Sequence, residues 1–395
     1  MLISPDNRLL GSGYTQPAGA AHAEVAAIND AKIAGNALVG ATAYVTLEPC
    51  SHFGRTPPCC NALVDAGIAK VIVAILDPNP LVSGRGAQML RDAGIEVEVL
   101  PVESAAAVAS RELNIGFFSR MVRKTPWVRM KTAASLDGQT ALSDGTSQWI
   151  TGQAARADGH AWRARSCAVL TGIGTVLSDD PLLDVRHVDT LRQPHLVIVD
   201  SRLDTPLDAR LFSTLGQRAT SPEAAAKFNV PEDKTTSIAG RALYIYAAQR
   251  NDAKKQALEA LGATVIYLPE TSVHQVSERL NSPNAIEPSP SSPSAGGQVG
   301  AKVDLRAMML DLGRREINAL HVEAGFKLNG SLITAGVVDE LLVYTAPKLL
   351  GPGMGMANTP ALAALTDALQ LDFTSATLVG EDLRTVARVR GRDRF

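Results

Sequence analysis

His22 and Glu24 stand two residues apart, and Cys50 and Cys59 follow with eight residues between them. One imidazole and two thiolates give a tetrahedral zinc ion three protein ligands and leave its fourth position for water. Zinc lowers the pKa of that water, so hydroxide becomes available near neutrality. Glu24 is close enough to the ligand His22 to move protons between this water and a leaving amine. The cysteines fall at predicted helix starts, where the positive end of the helix dipole favours thiolate. A structural zinc closed by Cys60 is the competing reading. Adjacent Cys59 and Cys60 seldom point at one ion, and a structural site has no use for Glu24. Cys60 and Cys167 are expected to be free core thiols.

Elements must position these groups. Residues 22–35 read as a helix with a glycine stop, followed by a strand at 42–47. A helix at 59–66, a nearly continuous apolar strand at 70–76, a helix at 85–93 and a strand at 95–100 come next. One further helix spans 103–118, and Arg120, Arg123, Lys124, Thr125 and Pro126 then break the pattern. We place the boundary there, giving domains at 1–122 and 125–395. In the second, strands are expected at 127–133, 168–171, 195–200, 242–246, 264–268, 317–322 and 340–345. Helices at 153–165, 254–261 and 304–314 fall between them. This α/β alternation predicts a parallel sheet in each half. Residues 281–300 are rich in Pro, Ser and Gly, a composition that predicts a flexible loop.

At 395 residues the chain has room for two or three domains, and 46% apolar residues rule out global disorder. With 38 basic against 40 acidic residues, its net charge of −2 offers no excess to grip a phosphate backbone. The 3 Trp, 6 Tyr and 8 Phe are few for a protein that stacks bases. These features count against a nucleic-acid deaminase, one alternative for the zinc chemistry, and against any nucleic-acid partner. No apolar run reaches the ~18 residues of a membrane span. Met1-Leu2-Ile3-Ser4-Pro5-Asp6 lacks the basic and apolar regions of a secretory signal. Clustered thiols without a leader suggest a cytoplasmic metalloprotein.

The His-x-Glu…Pro-Cys…Cys pattern is that of zinc nucleobase deaminases. The stretch Leu47-Glu48-Pro49-Cys50-Ser51-His52-Phe53-Gly54-Arg55-Thr56-Pro57-Pro58-Cys59-Cys60, with Asp77-Pro78-Asn79-Pro80 beyond it, is more specific. It resembles the bifunctional deaminase–reductase family of riboflavin biosynthesis, which has a cytidine-deaminase-like zinc domain followed by a dihydrofolate-reductase-like α/β domain. The resemblance implies His22, Cys50 and Cys59 as zinc ligands and Glu24 as proton shuttle, with His52 near substrate. Family members also resemble one another upstream of the point where this chain starts. The expectation is therefore a deaminase domain shortened at its amino terminus, with a reductase alone as the alternative function.

The second half carries the resemblance onward through Lys131-Thr132-Ala133-Ala134-Ser135-Leu136-Asp137-Gly138, Thr171-Gly172-Ile173-Gly174-Thr175 and Val322-Glu323-Ala324-Gly325. Gly172 and Gly174 follow a predicted strand, where missing side chains let backbone N–H groups approach a pyrophosphate; a tight turn alone is the other reading. The resemblance implies NADPH contacts at Ala133, Trp149, Thr175, Asp179, Ser201, Gly325, Phe326, Lys327, Leu328, Asn329, Gly330 and Ser331. It assigns substrate to Ser147, Arg163, Leu183, Arg186 and Glu323, where the two Arg forks suit a phosphate monoester. Lys131 is a candidate for proton delivery to the ribose, and Arg202 for binding a 2′-phosphate. The implied partners are phosphorylated pyrimidine substrates and further copies of the chain. The implied activities are zinc-dependent deamination of 2,5-diamino-6-(5-phosphoribosylamino)pyrimidin-4-one and NADPH-dependent reduction of the ribosyl group of the uracil product.

Overall fold

Three alanines at helical spacing, Ala23, Ala27 and Ala31, leave one face of the first helix nearly bare. Against it lie Gly11 and Gly13: a Cβ on Gly11 would stand 2.4 Å from the Ala27 carbonyl oxygen, and one on Gly13 would stand 2.5 Å from the Ala27 nitrogen. Only glycine permits that approach, and it fixes the helix end that carries His22 and Glu24. The computed structural model describes residues 1–16, 19–53, 57–80, 82–216, 240–270 and 301–395. The loop expected at 281–300 lies outside the described residues.

In chain order, β1 (Leu2–Ile3), β2 (Leu9–Gly11), α1 (Ala23–Ile33), β3 (Thr42–Val45), α2 (Cys59–Asp65), β4 (Lys70–Val73), α3 (Arg85–Asp92) and β5 (Glu96–Val99) form the first unit. Its sheet runs β2-β1-β3-β4-β5. The last three strands are parallel and the β1 pairings antiparallel, so this sheet is mixed rather than wholly parallel. Leu2, Ile28, Ala43, Leu63, Val71 and Leu90 close the core between sheet and helices.

The single helix expected at 103–118 is two: α4 (Ala105–Leu113) and α5 (Ile115–Arg123), broken at Asn114. The break turns α5 onto the second sheet, where a Cβ on Gly116 would lie 2.7 Å from the Asn318 carbonyl. Arg120 donates to the Asn318 side chain at 2.5 Å.

The second unit holds β6 (Trp127–Ser135), β7 (Ala141–Leu142), α6 (Gln153–Arg165), β8 (Ala168–Gly172), α7 (Ile173–Asp179), β9 (His195–Val199) and β10 (Leu243–Ala247). Beyond these come α8 (Asp252–Ala260), β11 (Ala263–Tyr267), α9 (Leu305–Arg314), β12 (Ala319–Val322), α10 (Phe326–Thr334) and β13 (Glu340–Ala346). The chain ends with β14 (Gly353–Met354), β15 (Leu371–Val379) and β16 (Asp382–Val389). Nine strands make one sheet in the order β11-β10-β9-β8-β12-β6-β13-β16-β15. The first seven are parallel, but β16 pairs antiparallel with both β13 and β15. The expectation of a purely parallel sheet therefore fails at the carboxyl end, where no helix separates the last two strands and a tight turn at Gly380 (φ 64°) makes a hairpin. Val128, Met130, Leu170, Met308, Leu312 and Leu332 fill one side of the sheet, and Leu196, Ile198, Leu243 and Leu258 the other.

Candidate active sites

His22 is the N-cap of α1, Cys50 lies in the loop after β3, and Cys59 opens α2. Their ligand atoms all lie within 4.8 Å of one another. His22 Nδ1 is 3.2 Å from Cys59 Sγ and 3.6 Å from Cys50 Sγ. The backbone N–H of Cys59 donates to Cys50 Sγ at 3.2 Å. Contact with the Cys59 thiol, that N–H and the imidazole bring the Cys50 thiol down to about 5 against the effect of burial. Cys59 goes the other way, because a thiolate on Cys50 and burial both oppose a second negative charge. A cation between the sulfurs removes that conflict, so this donor set fits zinc. Burial pushes the Glu24 carboxyl above its ordinary value, while a hydrogen bond with the Cys59 thiol draws it back.

Cys60 points elsewhere. Its thiol donates to the carbonyls of Pro49 and Gly86 at 3.4 and 3.5 Å within the core, so it does not close the metal cluster. Cys167 is half-buried against the second core. His52 is exposed. Glu48, beside the ligand loop, has a role the sequence reading missed. Its carboxylate is buried and accepts the backbone N–H groups of Asp77, Gly84 and Ala87 at 3.1, 2.9 and 3.0 Å. It thereby ties the Cys50 loop to the start of α3.

The second site is a cavity of about 390 Å³. Of the predicted residues, Lys131, Trp149, Arg163, Arg186 and Glu323 line it. Arg163 and Glu323 form a two-pronged ion pair through Nε and Nη2, the latter at 2.8 Å, and Arg163 Nη1 donates to the Asp184 carbonyl at 2.9 Å. Burial alone would push Glu323 up, yet the Arg163 guanidinium, His321 and Lys131 hold it well below the usual carboxylate range. Burial lowers the Lys131 ammonium, partly offset by Glu323. Arg186 pairs with Asp184.

Ser147 and Leu183 do not line this cavity. Ser147 is exposed, and the Leu183 side chain is buried in the core beside Val169 and Val176. The sequence reading missed Arg156, His160, His187 and Tyr344 on the cavity wall. Arg156, His160 and Arg163 recur at spacings of four and three, one helix face, which is the signal that could have found them. It also missed His321, wholly buried with Nε2 3.4 Å from Glu323.

The other predicted cofactor residues collect at the carboxyl ends of adjacent parallel strands. Thr175 and Asp179 lie on α7 after β8, Ser201 follows β9, and Ala133 sits near the end of β6. Gly325 is the N-cap of α10, whose first residues are Phe326, Lys327, Leu328, Asn329, Gly330 and Ser331. Neither α7 nor α10 has a side-chain cap, so their first N–H groups are open to an anion. A Cβ on Gly174 would meet nothing within 4 Å, whereas one on Gly330 would stand 2.0 Å from the Asn358 carbonyl. Gly174 thus faces open space, and Gly330 is packed against the Asn358 backbone. Arg202 is exposed and pairs with Asp204.

Two family profiles match the chain: "Cytidine and deoxycytidylate deaminase zinc-binding region" over residues 1–75 and "RibD C-terminal domain" over residues 126–385. The riboflavin biosynthesis protein RibD of Escherichia coli is 39% identical over 383 residues, covering 97% of this chain and 90% of that protein. RibD of Aquifex aeolicus is 34% identical over 382 residues, with coverages of 97% and 89%. The solved structure of Acinetobacter baumannii RibD superposes with a TM-score of 0.74 at 34% identity, covering 98% of this chain and 90% of the other.

Proposed function

The chain belongs to the RibD family of bifunctional riboflavin-biosynthesis enzymes, with a zinc-dependent deaminase and an NADPH-dependent reductase activity, and from that premise we propose which residues carry each reaction. The first reaction deaminates 2,5-diamino-6-(5-phosphoribosylamino)pyrimidin-4-one. The second reduces the ribosyl group of 5-amino-6-(5-phosphoribosylamino)uracil. We assign them to residues 1–122 and 125–395, with α5 the junction between the sheets.

His22, Cys50 and Cys59 hold zinc, which when bound supplies a Lewis acid with one position open to water. Glu24 takes a proton from the attacking water and gives it to the amine leaving the pyrimidine ring.

The observation that carries the reductase assignment is the charge of the cavity wall. Lys131, Arg156, Arg163 and Arg186 face a single lining carboxylate, Glu323. Such a surplus attracts a phosphorylated substrate. Arg163 spends its fork on Glu323, and Arg186 pairs with Asp184 but keeps its guanidinium half-exposed, so we assign the phosphate to Arg186. The Lys131 ammonium makes no hydrogen bond to a described residue and sits 6.0 Å from the Tyr344 ring centre, and we assign it proton delivery to the ribose oxygen. The uncapped starts of α7 and α10, with Ala133, Trp149 and Ser201, are the residues that would hold NADPH, which when bound would supply the hydride. The four cysteines are free, and no helix among the described residues is long and apolar enough to cross a membrane. Both features are consistent with a cytoplasmic enzyme, which we expect to be a homo-oligomer.

Glu24→Gln tests the division of labour. Elemental analysis should find about one zinc per chain, deamination should fall roughly 10²–10⁴-fold, and reduction of the deaminated substrate should persist. Retained deamination in Glu24→Gln, or a wild-type protein without zinc, would refute the assignment.

A further inference from the structure

Residues 180–187 join the end of α7 to the cavity wall along an irregular path. Asp180 and Leu183 both adopt left-handed backbone, at φ 39° and 51°, which non-glycine residues enter only when their surroundings impose it. The surroundings do so one residue at a time. Arg241 donates from Nη1 to the Leu182 carbonyl at 3.0 Å and from Nη2 to the Leu183 carbonyl at 2.5 Å. Arg163 holds the Asp184 carbonyl. The Gln193 amide exchanges two hydrogen bonds with the Val185 backbone, at 2.7 and 3.0 Å. The Arg186 N–H donates to His160 Nδ1 at 3.2 Å.

Arg241 is an unusual anchor. It is 2% exposed, and its remaining donors reach the Pro194 carbonyl at 2.8 Å and the Thr214 hydroxyl at 2.9 Å. Among the described residues its hydrogen bonds go to three carbonyls and a hydroxyl and to no carboxylate, with Asp184 its counter-charge, so this buried cation holds backbone shape. His160 supports the far end of the same segment. Burial and the Arg163 and Arg186 guanidinium groups bring its pKa down to about 4, in keeping with a neutral ring that accepts the Arg186 N–H at Nδ1.

We propose that Arg241 and His160 are positioning residues for the reductase reaction, fixing residues 182–187 so that Arg186 meets the phosphate of the substrate. This rests on the reading of the cavity as the reductase substrate site. Arg241 is not on the cavity wall, so its influence on substrate runs through the segment it holds; His160 does line the cavity, and its positioning role is separated from direct contact by the expected non-additivity with Arg186→Ala.

The test is a double-mutant cycle on the full chain, with deaminated substrate and NADPH. Arg186→Ala should raise KM for the phosphorylated substrate about tenfold or more. Arg241→Met and His160→Leu should each raise it about three- to tenfold, with NADPH affinity unchanged. His160→Gln, whose amide oxygen can accept the same N–H, should restore most of the loss. Combined with Arg186→Ala, neither change should add to KM, because both act through that residue. Additive effects, or anchor variants with wild-type KM, would overturn the proposal. If Arg186→Ala itself leaves KM unchanged, the cavity reading fails along with it. Should Arg241→Met not fold, the His160 series decides alone.

Discussion

At the cysteine cluster two thiols and an imidazole converge within 4.8 Å, a set of donors in want of a cation. The cavity of the second unit is its inverse, with Lys131, Arg156, Arg163 and Arg186 lining it beside one lining carboxylate, Glu323. The first comes from three short stretches, each at a helix start or in the loop between β3 and α2. The second draws on α6, β6, β13 and the turns beyond β12 and α7, spread over more than half the chain. A three-ligand centre has no redundancy, so losing one donor should abolish it. A field made by several cations and one shared counter-charge should weaken in steps.

The largest effect is expected at Cys59. Cys59→Ser should release zinc and cut deamination on the order of 10⁴-fold, because the ion that lowers the pKa of water is gone. Reduction of the deaminated substrate should stay within about twofold. A comparable loss in both reactions would mean that the two sites do not function as separate centres.

A graded loss is expected at Glu323. Glu323→Gln leaves the Arg163 guanidinium without its counter-charge, and breaking a buried pair in this way costs about 3–5 kcal/mol. Reduction should fall about 10²-fold while deamination continues. The pH dependence follows from the direction of the Glu323 shift. Its folded pKa lies well below the ordinary carboxylate value, so its stabilisation is present above the unfolded value of about 4.3 and is lost as pH falls through the folded one. The stability gap between wild type and Glu323→Gln, read from urea midpoints, should therefore be widest near pH 7 and close in acid. A gap that widened in acid would contradict the pairing.

The same contrast explains what could be read from the chain alone. The clustering of His22, Cys50 and Cys59 was legible because the chemistry of zinc restricts both residue type and spacing. Most helices and parallel strands were legible from periodicity. Asn114 was not, since the break follows from the docking of Gly116 on Asn318, a contact about 200 residues away. The antiparallel β15–β16 hairpin was missed although its alternation and Gly380 were in view. Arg241 shows a harder limit. A lone Arg before an apolar strand reads as a surface charge, and only tertiary structure shows its donors turned onto Leu182 and Leu183. Ser147 and Leu183, assigned to substrate by resemblance, lie off the cavity wall, so the cavity lining does not account for them.

The smallest effect, and the sharpest separation of binding from folding, is expected among the glycines of α7 and α10. A methyl group on Gly174 would touch nothing within 4 Å, so Gly174→Ala should fold normally. Its φ is not in the left-handed region, and the backbone does not object either. If the N–H groups at the start of α7 approach the NADPH pyrophosphate, that methyl should still stand in the ligand's space and weaken NADPH binding about three- to tenfold. Gly330→Ala provides the contrast. Its Cβ would stand 2.0 Å from the Asn358 carbonyl, so it should lower the melting temperature. Titration calorimetry and thermal melting on the two variants together decide the point. Gly174→Ala with wild-type NADPH affinity would return Gly174 to the reading of a tight turn alone, and the cofactor would then have to be sought along α10.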